Sequence, residues 1–238
     1  NIKVHCERGL AMELNEHLTF SVPGARFMPA FKNKVWDGKI RLFNTASQTT
    51  YAGLYNEIKQ FAKQRDYGVE DVTDFSTDSF SVVEANEFIK TLSLPFEVRD
   101  YQLSTFIAAV RNKRNLFVSP TASGKSLIIY LIQQYLNKRT LIVVPTTSLV
   151  HQLRSDFKQY GMDVDTETHV VFSGQEKDTD KRVVITTWQS VYNLKKPWFQ
   201  QFDAVIGDEA HLFKATSLTT LMTKLTRAFY RFGFTGSL

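Results

Sequence analysis

The chain has 238 residues, 43% of them hydrophobic, one cysteine and a formal net charge of +5. That is apolar material for one large core or two smaller ones, and Cys6 alone cannot build an internal disulfide. No apolar run is long enough to span a bilayer and no secretory signal pattern is present, and a cytoplasmic protein is expected. The charge is uneven: up to Pro95 there are 11 Lys/Arg against 12 Asp/Glu, and from Phe96 onward 18 against 12.

In chain order, Asn1 to Cys6 alternates apolar and polar residues and predicts a strand. Leu10, Leu14 and Leu18 recur at helical spacing, and a strand is expected around Phe20 and Val22. The stretch Val35 to Phe43 carries Asp37-Gly38 between extended arms and predicts a β-hairpin. Its second arm sets Lys39 and Arg41 on one face, with Ile40 and Leu42 on the other, inward one. Arg26, Lys32, Lys34, Lys39 and Arg41 form a basic cluster broken only by the acid Asp37. Such a cluster suits a polyanion, with Trp36 or Phe31 available to stack on bases, and equally suits a solvated hairpin face. Gly53 to Tyr67 predicts an amphipathic helix, Val69 to Phe75 a short strand, and Val82 to Leu92 a helix. Leu94-Pro95 marks a domain boundary, giving a small α+β domain over 1–94 and a second domain over 95–238.

After Pro95 strands alternate with longer helices, which predicts a mostly parallel sheet with helices on both faces. Helix Asp100 to Asn112 precedes strand Leu116 to Val118. Then comes Ser119-Pro120-Thr121-Ala122-Ser123-Gly124-Lys125-Ser126, followed by helix Leu127 to Leu136. Strand, small-residue loop, Lys-Ser and helix is the layout of a phosphate-binding loop. Small residues let backbone N–H groups approach the anion, and the helix dipole points at it. Lys125 adds charge for the β- and γ-phosphates, and the Ser126 hydroxyl is a Mg²⁺ ligand. Ser119 stands where the general pattern has glycine. Further strands are expected at Thr140 to Val144, His169 to Phe172, Val183 to Thr186, Phe202 to Ile206 and Arg231 to Phe234. Helices are expected at Leu149 to Tyr160, capped by Thr146 or Thr147, at Trp188 to Tyr192 and at Leu218 to Phe229. Strand Phe202 to Ile206 runs into Gly207-Asp208-Glu209-Ala210-His211, which sets carboxylates where open α/β sheets bind ligands. Asp208 is placed to hold Mg²⁺ and Glu209 to polarise a water.

The series VRDYQ, SPTASGKS, VVPTTSLVHQ, ITTWQS, GDEAH and FTGSL resembles the first RecA-like domain of superfamily 2 helicases, over Val98 to Leu238. With the upstream Trp-Asp-Gly-Lys-Ile-Arg-Leu segment, the chain resembles phage UvsW-type recombination and branch-migration helicases. The resemblance implies that Gln102 reads adenine with Arg99 beside it, and that ATP and Mg²⁺ are the cofactors. It implies that His211 couples nucleotide state to motion, and that Pro145, Thr146, Thr186 and Thr187 touch a nucleic-acid backbone. Thr235, Gly236 and Ser237 stand where the family often has Ser-Ala-Thr, the coupling motif. It further implies a monomeric ATP-dependent DNA helicase or translocase acting on duplex or branched DNA and R-loops, with no membrane partner. A second RecA-like domain is expected to complete the site, the chain being a fragment. An RNA helicase, or a nucleic-acid-binding module with an inactive nucleotide site, are the alternative readings. A P-loop kinase or GTPase leaves Gln102 and the Asp-Glu-Ala-His tetrad without a place.

Overall fold

The computed structural model describes residues 2–72, 79–120, 123–172, 174, 176–209 and 215–236, without the side chains of 215–218. The chain divides into two compact units, Asn1–Phe75 and Ser76–Leu238. The expected strand from Val69 is absent over residues 69–72, and its remainder lies outside the described residues.

The first unit comprises β1 (Ile2–Lys3), α1 (Arg8–His17), β2 (Thr19–Ser21), α2 (Pro29–Lys32), β3 (Lys39–Arg41), β4 (Phe43–Asn44), β5 (Thr49–Thr50) and α3 (Tyr55–Gln64). Leu14 of α1, Leu18, Phe43 of β4, and Ile58 and Phe61 of α3 make its core. Strands β1, β5 and β4 form one antiparallel sheet, and β2 and β3 a separate ribbon. The ribbon corrects the expected hairpin. Strand β3 pairs with β2, setting Phe20 opposite Ile40, and not with Val35-Trp36. The Asp37-Gly38 turn is there, but the residues before it fold back on α2: the N–H groups of Val35 and Trp36 both bond to Ala30 O. Gly38 has φ +77°, and a Cβ there would stand 3.0 Å from Ala25 and 3.1 Å from the Phe31 ring. Only glycine suits such a corner. Ile40 is 40% exposed, against its expected inward place.

The second unit begins with α4 (Val82–Thr91) and α5 (Asp100–Asn112). Phe88 of α4 packs on Phe106 of α5, ring centroids 5.8 Å apart. A helix on the amino-terminal side of Pro95 therefore shares a core with one on the carboxyl-terminal side, so the proline turn punctuates the chain without separating two cores. Then come β6 (Arg114–Val118), α6 (Lys125–Leu136), β7 (Thr140–Val144), α7 (Thr147–Gln159), α8 (Val164–Glu167), β8 (Thr168–Val171) and β9 (Val183–Thr187). The unit closes with α9 (Trp188–Val191), α10 (Lys196–Phe199), β10 (Ala204–Gly207), α11 (Ala215–Lys224) and β11 (Tyr230–Thr235).

Six strands form one sheet in the order β6-β11-β10-β7-β9-β8, and every neighbouring pair is parallel. Ile142, Val144 and Ile206 point to a core shared with α4 to α8, while Leu141, Val143 and Val205 point to one shared with α9 to α11. A sheet covered on both faces needs continuous apolar strands, which is why β7 and β10 read as unbroken apolar runs. This is the expected RecA-like architecture. The order holds one surprise. The last strand, β11, inserts between β6 and β10, so the phosphate-loop strand and the Asp-Glu strand are not neighbours.

Helix α4 is started by a reciprocal cap: Glu84 N donates to Ser81 Oγ (3.2 Å) and Ser81 N to Glu84 Oε2 (2.7 Å). We expect Ser81→Ala to lower stability by about 1 kcal/mol and Ser81→Asp to recover most of it, read by denaturant unfolding.

Candidate nucleotide site and basic surface

The loop after β6 is fixed from three sides. Ser119 N donates to Thr235 O (2.8 Å), tying the start of the loop to the end of β11. Ser119, 7% exposed, sets its hydroxyl 2.5 Å from that of Ser123. The serine that replaces the pattern's glycine thus closes the base of the loop. From below, Gln102 is 5% exposed and both ends of its amide are engaged. Its Oε1 accepts from Arg99 N (3.0 Å) and its Nε2 donates to Ser123 O (3.1 Å). Tyr101 Oη donates to the same carbonyl (2.9 Å), and Arg99 Nη1 donates to Tyr101 Oη (3.1 Å). Pro120 O accepts from Ser123 N (3.2 Å). Thr121 and Ala122 lie outside the described residues.

Gly124 has φ +75°, and a Cβ there would collide with Gln102 Nε2. The amide of Gln102 therefore occupies the space that a side chain at 124 would need. The loop can then turn into α6 with its backbone bare, which is the form a phosphate cradle takes.

Lys125, the first residue of α6, forms an ion pair with Glu209. Their side chains are 11% and 19% exposed, so the pair is poorly screened. Glu209 has φ +49°, an uncommon conformation for a residue with a side chain. Its other carboxylate oxygen accepts from Gly236 N (3.3 Å). Glu209 N donates to Asp208 Oδ1 (2.9 Å), and Asp208 N to Val143 O (2.9 Å). Burial pushes the Asp208 carboxyl up from its ordinary range and the Glu209 charge adds to this, against the lowering effects of Lys125 and the Glu209 N–H. Ser126 Oγ lies 2.9 Å from Tyr160 Oη.

The structure thus brings Lys125, Ser126, Asp208, Glu209, Gly236 and Thr235 to one edge of the sheet. His211 and Ser237 lie outside the described residues. Ser126 and Asp208 remain the residues suited to Mg²⁺. Among the described residues no cluster of three His, Cys, Asp or Glu gathers. A sparse donor set suits Mg²⁺, which keeps waters and phosphate oxygens as its other ligands.

The expected nucleic-acid residues divide. Arg26, Lys32, Lys34, Lys39 and Arg41 are all exposed on the first unit. Arg41 is paired with Asp37, whose carboxyl is held below its usual range by that bond and the Lys39 N–H. Trp36 is half-buried and donates through Nε1 to Lys39 O (2.8 Å), which braces the turn. The exposed rings are others: Phe20 (48%), Phe27 (66%) and Phe31 (38%), with the Arg26 guanidinium 4.8 Å from the Phe27 centroid. Thr146 is exposed and caps α7, accepting from Leu149 N (3.4 Å). Pro145, Thr186 and Thr187 are buried. Thr186 Oγ1 donates to Val171 O (2.7 Å), and Thr187 Oγ1 meets Ser190 Oγ (2.8 Å). Sequence reasoning gave no role to Tyr101, although it lies within VRDYQ, or to Tyr160, since nothing in the sequence marks a tyrosine that reaches the loop from another helix.

Two family models match: "Type III restriction enzyme, res subunit" over residues 87–238 and "DNA helicase UvsW, N-terminal" over residues 1–71. The ATP-dependent DNA helicase uvsW of Enterobacteria phage T4 is 31% identical over all of this chain and 50% of its own length. The DNA 3′-5′ translocase XPB2 of Sulfurisphaera tokodaii is 26% identical over 85% of this chain and 41% of its own. The chain thus spans about half the length of the curated relatives it matches. The crystal structure of the bacteriophage T4 UvsW helicase superposes with a TM-score of 0.88 at 31% identity, over 99% of this chain and 88% of that one. A hypothetical ATP-dependent RNA helicase from Sulfolobus tokodaii, 21% identical, gives a TM-score of 0.55 over 64% of this chain and 51% of that one, a likeness of fold alone. No helix among the described residues is long and apolar enough to cross a membrane.

The Gln102–Gly124 contact yields a double-mutant test. Gly124→Ala is expected to cost about 1–3 kcal/mol, from left-handed backbone strain and displacement of the amide, and to weaken nucleotide binding. In a Gln102→Ala background the penalty should shrink by at least about 0.5 kcal/mol, because the clash is gone and only the strain remains. Thermal and denaturant unfolding of the four proteins would show it.

Proposed function

The chain belongs to the UvsW helicase family, and from that premise we propose that the protein is an ATP-dependent DNA helicase or translocase. In this reading it remodels branched DNA or R-loops in recombination, repair and replication. The observation that carries it is the ion pair between Lys125 and Glu209, formed at the sheet edge beside a loop whose backbone is left bare at Gly124.

ATP binds with its phosphates on the loop 119–126, where Lys125 faces the β- and γ-phosphates. Ser126 and Asp208 would hold Mg²⁺, which would neutralise phosphate charge. A polyphosphate competes with Glu209 for the Lys125 ammonium. As Lys125 turns to the phosphates, the Glu209 oxygen that faced it turns to orient and deprotonate a water. Its bond to Gly236 N links that change to the end of β11, where Thr235, Gly236 and Ser237 couple hydrolysis to the grip on DNA together with His211. Arg99 and Gln102 lie under the loop and recognise the base.

On the first unit, Arg26, Lys32, Lys34 and Lys39 contact phosphates of the DNA, with Arg41 weaker because Asp37 shares its charge. Trp36 shapes this surface, and Phe31 stacks on bases. Thr146, with Pro145, Thr186 and Thr187 behind it, forms the strand-contacting edge of the second unit. A further RecA-like domain, which the greater length of the relatives supports, supplies an arginine to the γ-phosphate, where developing charge needs a cation.

In the full-length protein Lys125→Ala should abolish nucleotide binding. Glu209→Gln should keep binding while DNA-stimulated ATP turnover falls by about a hundredfold or more. Near-parental turnover in Glu209→Gln would overturn the assignment, and stimulation by RNA but not DNA would redirect the substrate. For the basic surface, Lys32→Ala and Lys39→Ala should each flatten the salt dependence of duplex binding by about one unit.

A further inference from the structure

Tyr160 follows the last residue of α7 and is 9% exposed. Its ring is held by two others. Tyr130 lies with its centroid 5.3 Å away, and Phe96 meets it edge-on at 5.6 Å. Its backbone is held as well. Tyr160 N donates to Asp156 O (3.0 Å), and Tyr160 O accepts from Tyr130 Oη (3.0 Å). The next residue, Gly161, turns the chain away at φ +95°. A ring fixed on so many sides has little freedom, and its hydroxyl ends 2.9 Å from Ser126 Oγ. Asp156 lies one turn earlier on α7; burial holds its carboxyl above the usual range, and the nearby Ser126 hydroxyl opposes this.

A serine hydroxyl has one proton and two lone pairs. To ligate a cation it must offer a lone pair and send its proton elsewhere. Without an acceptor the hydroxyl rotates among three wells, and one of them must be selected on binding. We propose that Tyr160 is a positioning residue for the metal-binding serine: its hydroxyl accepts a hydrogen bond from the Ser126 O–H and fixes the orientation in which Ser126 faces Mg²⁺. The inference rests on the nucleotide-site reading above. It adds a residue that contacts neither nucleotide nor cation and that lies outside every motif. Asp156 is the alternative acceptor, so loss of Tyr160 is partial in effect where loss of Ser126 is not.

The test is binding of a fluorescent ADP to this chain with saturating Mg²⁺ and with chelator, in the parent, Tyr160→Phe, Ser126→Ala and the double variant. Tyr160→Phe keeps the ring and its packing. We expect it to weaken Mg²⁺-dependent binding about fivefold, the loss typical of one hydrogen bond, and to leave metal-free binding unchanged. Ser126→Ala should lose more, and adding Tyr160→Phe to it should change nothing further. Equal losses with and without metal, no loss at all, or an undiminished effect of Tyr160→Phe in the Ser126→Ala background would overturn the proposal. Loss of Mg²⁺ dependence only in the serine variant would overturn it while leaving the nucleotide site intact. A parent whose ADP binding ignores Mg²⁺ would overturn both.

Discussion

An ammonium and a carboxylate on different elements meet across an intervening strand, and the site depends on that meeting. Lys125 begins the helix after β6, and Glu209 follows β10. Between the two strands runs β11, the last of the chain. A pair at one-tenth to one-fifth exposure is costly to leave half-made, because the remaining charge would be stranded in a poorly solvated place. The sheet order therefore has to be right before Lys125 has a partner. The same insertion lets β11 touch both sides, since Thr235 O accepts from Ser119 N and Gly236 N donates to Glu209. Coupling between the phosphate loop and the acidic turn then needs no long relay: one strand end bonds to both.

The loop itself shows how packing behind a binding surface prepares it. Gln102 fills the volume beneath Gly124 and holds Ser123 O. The glycine is required by what lies behind it as much as by what binds in front of it. Ser119 contributes in a second way, through its contact with Ser123. A departure from the phosphate-loop pattern is thus absorbed by a side-chain hydroxyl placed where the backbone needs closing.

What the sequence made legible was what depends on short-range pattern. Strand Thr140–Val144 and helix Asp100–Asn112 appear with their expected limits, because a continuous apolar run and a capped amphipathic period are local signals. The loop and the Asp208-Glu209 turn were legible for the same reason. Strand order was not: nothing in Tyr230–Thr235 says that it enters between β6 and β10. Tyr160 was invisible as a site residue, since its place is set by the register of α7 against α6. The pairing of β3 with β2 was missed because Asp-Gly signals a turn but not the partner of the strand after it. Helices α2, α8 and α10, four residues each, are too short to show a period.

The two units present their chemistry in opposite ways, and this fixes what can be asked of each. In the second, a sheet buried on both faces leaves only its strand ends for binding, so function is confined to a few residues whose neighbours are rigid. In the first, the β2–β3 ribbon is exposed along all of β3, with Lys39 and Arg41 alternating with Ile40. An uncovered two-stranded ribbon draws little stability from its own contacts. Its shape is set by the corner at Gly38 and the Trp36–Lys39 bond. Cations held on such a scaffold act through screened, additive contacts, each worth little alone. A phosphate backbone rewards that arrangement, because affinity grows with the number of charges neutralised and does not require any one of them to be placed to a fraction of an ångström. On the proposed reading, a buried site for a nucleotide and an open surface that counts phosphates are the two kinds of precision that a motor moving along DNA has to combine.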